Sequence, residues 1–428
     1  MIVSDKSEVN ARVSAGNGIL ALAPVTNGGG IESTPMRILD LLRAEQPLSR
    51  VELANRLGVT QATVTNVVKL LLEGGLVHEG MRAQLSRGAP RRLLELVPDA
   101  WYAIGVQIDS TTMTVVISDY AGNRVAATSL RGPGDLSPEA AIAELVDHIE
   151  DLLESTAIPR HRILGVGLVT YGPQDRPRGM LLTPQPTPEW YEFPLTSRLG
   201  EALGLPVLLE NDATAAAIGE QALGVVPSAS FGVLFLSTGV GGAVVIDGAP
   251  YRGRSSNAVE LDHVIIRPGG RECLCGARGC VGVEAQPMTV SALGFADPEI
   301  AARLDLRGSP EECLADFERL ARAARGADSV AADLLEKSAD DLGLAAVTMF
   351  NLFDIDTLVL TGPAFRTAGP LYQQRIEAIL RRYSANRDLT EPRVLVSANP
   401  ELDAPMGGAL QVLRTVSPPL ERSAALAA

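Results

Sequence analysis

Three of the chain's four cysteines and one of its four histidines fall within a single stretch, HVIIRPGGRECLCGARGC, residues 263–280. The spacing is His263-x9-Cys273-x-Cys275-x4-Cys280, with Gly270, Gly276 and Gly279 interleaved. Three thiolates and an imidazole suit tetrahedral zinc, and glycines let a tight loop turn its sulfurs inward. Four protein ligands close the coordination shell, so the ion would be structural rather than a Lewis acid open to substrate. Buried free thiols or a redox pair are the other readings, and the spacing fits them less well. Cys313, alone in PEECLADF, reads as an ordinary thiol.

A second set of residues lies near the N-terminus. Thr60 caps a helical stretch whose apolar residues Val64, Val67, Val68 and Leu71 recur at i, i+3, i+4 and i+7. The opposite side offers Gln61, Thr63, Thr65, Asn66 and Lys69. Gln and Asn can pair bidentately with adenine edges, Thr can meet a thymine methyl or a phosphate, and Lys a phosphate. Downstream, Arg87, Arg91 and Arg92 suit phosphate or minor-groove contact. An ordinary three-helix bundle with a solvated polar face is the bland alternative.

The elements that must hold these groups are legible around them. Thr34-Pro35 opens a first helix with Ile38, Leu39 and Leu42 on one face. Ser49-Arg50-Val51-Glu52 is a capping box opening a second helix through Leu57, ended by Gly58. Gly74-Gly75 stops the third, and strands at 76–79 and 92–97 follow, joined by GMRAQLSRGAPR. Three helices and a β-hairpin make a winged helix-turn-helix over 34–98 and predict double-stranded operator DNA as a partner. Residues 1–33 read as a flexible arm and 415–428 as a flexible tail.

Beyond residue 99 the texture is α/β. Apolar strands are expected at 103–108, 113–118, 164–169, 206–210, 231–236, 241–246 and 357–361. Helices are expected at about 137–154, 212–222, 328–352, 370–382 and 405–414. Strand–strand–strand–helix units in both halves predict a duplicated mixed-sheet architecture over 99–414.

Composition agrees. The chain has 428 residues, 46% apolar and 4% aromatic, which makes an aliphatic core with room for two or three domains. Its net charge of −14 is uneven. Residues 34–98 carry nine Lys/Arg against six Asp/Glu, a net +3, whereas 99–428 carry 26 against 42, a net −16. A mildly basic head on an acidic body is what a DNA-binding module on an effector domain requires. No apolar run approaches the roughly 18–20 residues of a membrane span, and no signal-peptide layout is present, so a cytoplasmic protein is expected.

Several stretches together resemble the ROK family, which groups sugar-dependent repressors with sugar kinases. AVELDHVIIRPGGRECLCGARGCVGVEA resembles its zinc signature, VLLENDATAAAIGEQALG (207–224) its sugar-binding Glu-Asn-Asp segment, and LSTGVGGAVVIDG (236–248) its second phosphate loop. A winged helix in front is the arrangement of the repressor branch, the N-acetylglucosamine and xylose repressors, and SRGAPRRLLELVPDAWYAIGVQI resembles the joint. The resemblance implies a two-lobed, actin-like ATPase fold with a ligand cleft between lobes. It implies that Asn211 and Asp212 contact a sugar, with Asp212 the general base in a kinase relative. Glu260 stands at the glutamate of the family's Ala-Gly-Glu. His263 would serve twice, one ring nitrogen on zinc and the other toward a sugar hydroxyl.

Departures from the pattern sharpen the expectation. The family's kinases open with Asp-x-Gly-Gly-Thr-Lys, and the aligned stretch here is Gln107-Ile108-Asp109-Ser110-Thr111-Thr112. Side chains crowd that turn and Asp109 would repel phosphate, although Gly239, Gly241 and Gly242 remain in the second loop. Gly282 stands where the family places a sugar-contacting Glu, with Glu284 two positions on, and Asp262 replaces the usual Gly. The reading is a sugar-responsive DNA-binding regulator, a repressor and not an enzyme, working as a homodimer or homotetramer. Its rivals are a ROK-type sugar kinase and a zinc- or redox-responsive regulator that binds no sugar.

Overall fold

The computed structural model describes residues 34–83, 91–224, 226, 228–416 and 418. The expected arm, Arg87 with the wing tip, and nearly all of the expected tail lie outside them. The last helix runs to Thr415, one residue past the expected boundary at 414.

The head forms as its local signals dictate. Helices span Thr34–Glu45, Arg50–Leu57 and Gln61–Glu73. Ser49 and Glu52 make the reciprocal capping box, and Gly58 ends that helix with φ +65, where a side chain would be strained. Strands Val77–Ala83 and Arg91–Leu96 pair antiparallel, and Leu48–Ser49 adds a third strand on the outer edge of the second. Ile38, Leu39, Leu42, Leu53, Val64 and Val68 have no solvent exposure. At roughly 2 kcal/mol for each large side chain withdrawn from water, they supply the head's core.

The body is two five-stranded mixed sheets, as the duplication predicted. In the first the order is Val207–Asn211, Ile163–Thr170, Tyr102–Ile108, Thr112–Asp119, Arg124–Arg131. In the second it is Ala249–Pro250, Val240–Ile246, Phe231–Leu236, Thr357–Thr361, Arg393–Val396. Helices Pro138–Thr156 and Leu195–Leu203 cover the first sheet, and Cys313–Arg325, Ser329–Phe353 and Phe365–Tyr383 enclose the second lobe's core. The last of these starts five residues before the expected 370, with Pro370 inside the helix. Cys313 is buried in the second lobe. No helix among the described residues is long and apolar enough to cross a membrane.

Two helices, Asp212–Ala222 and Asp403–Thr415, pack together between the sheets. Their contact is backbone to backbone, because Gly407 faces the Ala215 carbonyl and Gly219 the Asp403 carbonyl, while Gly408 faces Gly167 of the first sheet. The same pair carries the head. Ile218, Ala222, Met406, Leu410 and Leu413 share one continuous apolar cluster with the head's Ile38, Leu39 and Leu42. Polar contacts fasten the seam. Buried Arg43 donates to the Tyr120 carbonyl at 3.2 Å and pairs with Asp40 at 2.9 Å, and Asp40 pairs with Arg414 at 3.0 Å. The helix that begins at Asp212 therefore ends against the N-terminal head.

Candidate functional site

Parallel strands bring the first group of residues together. Ile108 and Asn211 both stand opposite Thr170, the end of the strand between them. The residues after those ends, Asp109, Tyr171 and Asp212, emerge at one edge of the sheet, where open α/β sheets bind ligands. Asn211 is first a helix cap: its Oδ1 accepts the Thr214 amide at 3.1 Å, leaving its NH2 group to donate. Asp212 is 7% exposed and its Oδ1 accepts the Ala213 amide at 2.7 Å. Burial, with the charges of Asp109 and Glu260 adding to it, pushes Asp212 up to about 7.

A test follows. Asp212 ionises near its ordinary 3.8 in the unfolded chain and about 7 in the folded one. Between those values the folded chain holds more proton, so the stability it lends is full below about pH 4 and lost as pH rises through 7. Asp212→Asn should remove that slope. Measured by urea unfolding, the variant should gain up to about 4 kcal/mol on the parent between pH 4 and pH 8.

Sequence reading overlooked Tyr171. Its hydroxyl is buried without a hydrogen-bond partner among the described residues, and burial, Asp109 and Asp212 all raise its pKa. Only its place directly after a parallel strand could have pointed to it.

The turn after Ile108 is bonded within the protein itself. Asp109 is 5% exposed, and its Oδ2 accepts the Ser237 hydroxyl at 2.7 Å. Ser110 and Thr238 hydroxyls lie 3.2 Å apart, and Asp109 Oδ1 accepts the Thr111 amide at 3.3 Å. Ser237 and Thr238 follow the second lobe's strand Phe231–Leu236, so these bonds clasp lobe to lobe. Burial raises the pKa of Asp109.

Glu260 and His263 come from one short stretch. Leu261–His263 is a 3-10 turn anchored by buried Leu261. Gly242 lets it approach, since a Cβ there would meet the Leu261 Cβ at 2.7 Å. Val259, a β-branched residue, is held at φ +62, a strain of about 1–2 kcal/mol that packing must sustain. Glu260 is exposed and close enough to Asp212 for its charge to be felt there.

The sulfur loop gathers as its spacing predicts. One donor atom from each of His263, Cys273, Cys275 and Cys280 lies within 4.8 Å of the others. His263 Nδ1 is 3.5 Å from Cys273 Sγ, and Cys275 Sγ is 3.7 Å from Cys280 Sγ. Tetrahedral zinc, with bonds near 2.3 Å to sulfur and 2.0 Å to nitrogen, sets its ligands about 3.8 Å apart for two sulfurs and about 3.5 Å for nitrogen and sulfur. The donor set and its dimensions both fit the ion. Burial pushes the Cys280 thiol up to about 12, and the Ala277 amide lowers the pKa of Cys275.

The loop is fastened below. Amides of Ile266 and Arg267 both donate to the Gly279 carbonyl, at 2.9 and 3.1 Å. Gly279 has φ +80, and a Cβ on it would lie 1.6 Å from the Arg267 carbonyl oxygen. Glu284, two positions beyond Gly282, is engaged within the protein. Its buried carboxylate pairs with Arg267 at 2.7 Å and accepts the Arg271 amide at 2.8 Å. Arg267 also pairs with Asp341 at 2.9 Å.

On the head, Gln61, Thr63, Thr65, Asn66 and Lys69 are all exposed, while Val64, Val68 and Leu71 are buried. Thr63 bonds the Thr60 cap, Thr65 donates to the Gln61 carbonyl at 2.8 Å, and Lys69 lies 3.7 Å from Glu73. Arg92 pairs with Glu79, which also holds Arg50. Arg91 lies on the same strand.

Comparison with known proteins agrees with this architecture. The ROK family model matches residues 103–416, and a helix-turn-helix domain model matches residues 31–80. A glucokinase of Thermotoga maritima is 29% identical over 285 residues, 65% of this chain and 88% of that protein. A xylose repressor of Bacillus subtilis is 28% identical over 245 residues, 57% of this chain and 63% of that one. Among solved structures, a ROK family transcriptional regulator described as a homologue of the E. coli MLC protein superposes with a TM-score of 0.68. It is 22% identical and covers 89% of this chain and 96% of its own.

Proposed function

The chain belongs to the ROK family, and from that premise we propose that it is a DNA-binding transcriptional regulator, a repressor whose operator affinity is set by a sugar or sugar derivative. The observation that carries the reading is the exposed polar face of Gln61–Glu73, on a head whose core is continuous with the helices of the ligand cleft. Asn211, Asp212, Glu260 and His263 would contact the sugar. His263, Cys273, Cys275 and Cys280 would hold a structural zinc, which supplies a rigid anchor for the turn carrying Glu260 and His263. His263 Nδ1 faces the sulfurs, so Nε2 is the nitrogen left for a ligand hydroxyl.

The regulator reading is favoured over a kinase by the clasp of Asp109 and Ser237. A buried carboxylate replaces the glycine-lined turn that would approach phosphate, and ATP turnover should be absent. Sugar must bind one arrangement of the lobes more tightly than the other to shift operator affinity. Two heads reading a palindrome favour a homodimer or homotetramer on double-stranded DNA.

Gel-shift titration on the DNA upstream of the chain's own coding sequence, with and without candidate sugars, tests the whole reading. Asn66→Ala should cost about 1–3 kcal/mol on the specific site and little on scrambled DNA. Lys69→Ala should weaken both alike and lower the slope of log affinity against log salt by about 0.9. Sugar-independent binding would overturn the effector role, and phosphorylation of a hexose, lost in Asp212→Asn, would establish the kinase instead.

A further inference from the structure

We propose that Asp262 is an effector-contacting carboxylate, and that through it the pocket takes uncharged or amino sugars and rejects sugar phosphates. The proposal rests on the sugar-pocket reading above and names the class of ligand that reading leaves open.

Asp262 lies between Glu260 and His263 in the turn that Leu261 anchors. It is not one of the four clustered metal donors. Its Oδ1 is shielded from solvent and has no hydrogen-bond partner among the described residues. Its Oδ2 is 3.9 Å from His263 Nδ1, the nitrogen that faces Cys273. A buried acceptor left unpaired is destabilising, and a ligand hydroxyl or ammonium would satisfy it.

Gly282 explains where that carboxyl fits. A Cβ on Gly282 would come 1.5 Å from Asp262 Oδ1 and 2.4 Å from its Cγ. The Asp262 carboxyl thus fills the space that any side chain at 282 would need. The Glu that the family resemblance implies at position 282 and the aspartate at 262 would therefore compete for one space.

Charge then selects the ligand. Asp109, Asp212, Glu260 and Asp262 form an electrostatically linked row from the sheet edge to the turn. Arg176 and Arg252 are both committed to buried Glu210, one residue before Asn211, and Arg267 and Arg271 are committed to Glu284. A phosphate ester would meet carboxylates without those guanidinium groups to neutralise it. Neutral hydroxyls and ammonium groups are donors to the same oxygens.

The test uses the full-length, zinc-loaded chain in calorimetric titrations with D-glucose, D-xylose, N-acetyl-D-glucosamine, D-glucosamine and glucose 6-phosphate. Zinc content is measured on every variant. At least one unphosphorylated sugar should bind, and glucose 6-phosphate should bind at least about tenfold more weakly. Asp262→Asn should keep its zinc and lose about tenfold or more in sugar affinity. Gly282→Glu alone should lose binding, and Asp262→Gly with Gly282→Glu should regain it with a changed order of preference. Unchanged binding by Asp262→Asn, loss of its zinc, or a preference for glucose 6-phosphate would overturn the proposal while leaving a sugar pocket in place. Failure of all five to bind the parent chain would overturn both.

Discussion

A Cys280→Ser chain should purify with almost no zinc, still bind its operator, and no longer respond to sugar. Cys280 is fully buried, next to the helix Val281–Ala285, and its backbone bridges to Ile265. A serine hydroxyl is a poor substitute for a thiolate, and three remaining donors leave the coordination shell open. Arg267, Glu284 and Asp341 would keep part of the loop in place, so the second lobe should stay folded. The turn carrying Glu260, Asp262 and His263 would lose its outer anchor. The head's core contains none of these residues, which is why DNA binding should survive. Metal analysis of the purified chain and gel shifts with and without sugar read both halves of the expectation. A metal-free variant that still answers to sugar would remove the ion from the mechanism.

Gly407→Ala should be among the most destabilising single-methyl additions in the body. A Cβ at 407 would sit 1.7 Å from the Ala215 carbonyl oxygen and 2.5 Å from its carbon, both backbone atoms that cannot rotate away. Relief by sliding the helix is blocked elsewhere. Gly105 faces the Pro405 carbonyl at 1.8 Å and Gly167 the Gly408 carbonyl at 2.0 Å, measured from the Cβ each would carry. Overpacking a core commonly costs 1–3 kcal/mol, and a clash with fixed backbone on a helix wedged between the first sheet and the helix Asp212–Ala222 should cost about 3 kcal/mol or more. Thermal unfolding followed by circular dichroism should show a midpoint lower by roughly 5 °C. A shift of a degree or less would mean that the two helices are not held this closely.

What the sequence discloses depends on how far each signal must reach. The head was readable because its marks are local: Ser49 and Glu52 are three residues apart, and Thr60 caps the helix it begins. The metal cluster was readable because spacing alone narrows the chemistry of three cysteines and a histidine. Buried strands such as Ile163–Thr170 and Phe231–Leu236 announce themselves as apolar runs. The short helices between Val281 and Leu304 do not, since five to nine residues cannot establish a helical period. Cys313–Arg325 has a regular apolar face in Phe317, Leu320 and Ala321 and went unread beside the cysteine that drew attention.

The contacts that shape the pocket join distant parts of the chain. Asp109 meets Ser237, and the Asp262 carboxyl lies against Gly282; neither pairing leaves a trace in local pattern. Asn211 shows that two readings of one residue can both hold, because its oxygen caps a helix while its amide stays available. Glu284 shows the opposite: a carboxylate near the right position was fully occupied by Arg267 and Arg271.

The apolar seam between head and body bears on how this molecule can be cut. Ile38, Leu39 and Leu42 share their cluster with Leu410 and Leu413, and Ala44 stands against Gly224. A fragment ending at residue 98 would strip one wall from that cluster and leave greasy surface bare, so it should aggregate or melt early. Anyone grafting a foreign reading head onto this body must transplant the matching faces of the helices Asp212–Ala222 and Asp403–Thr415 along with it.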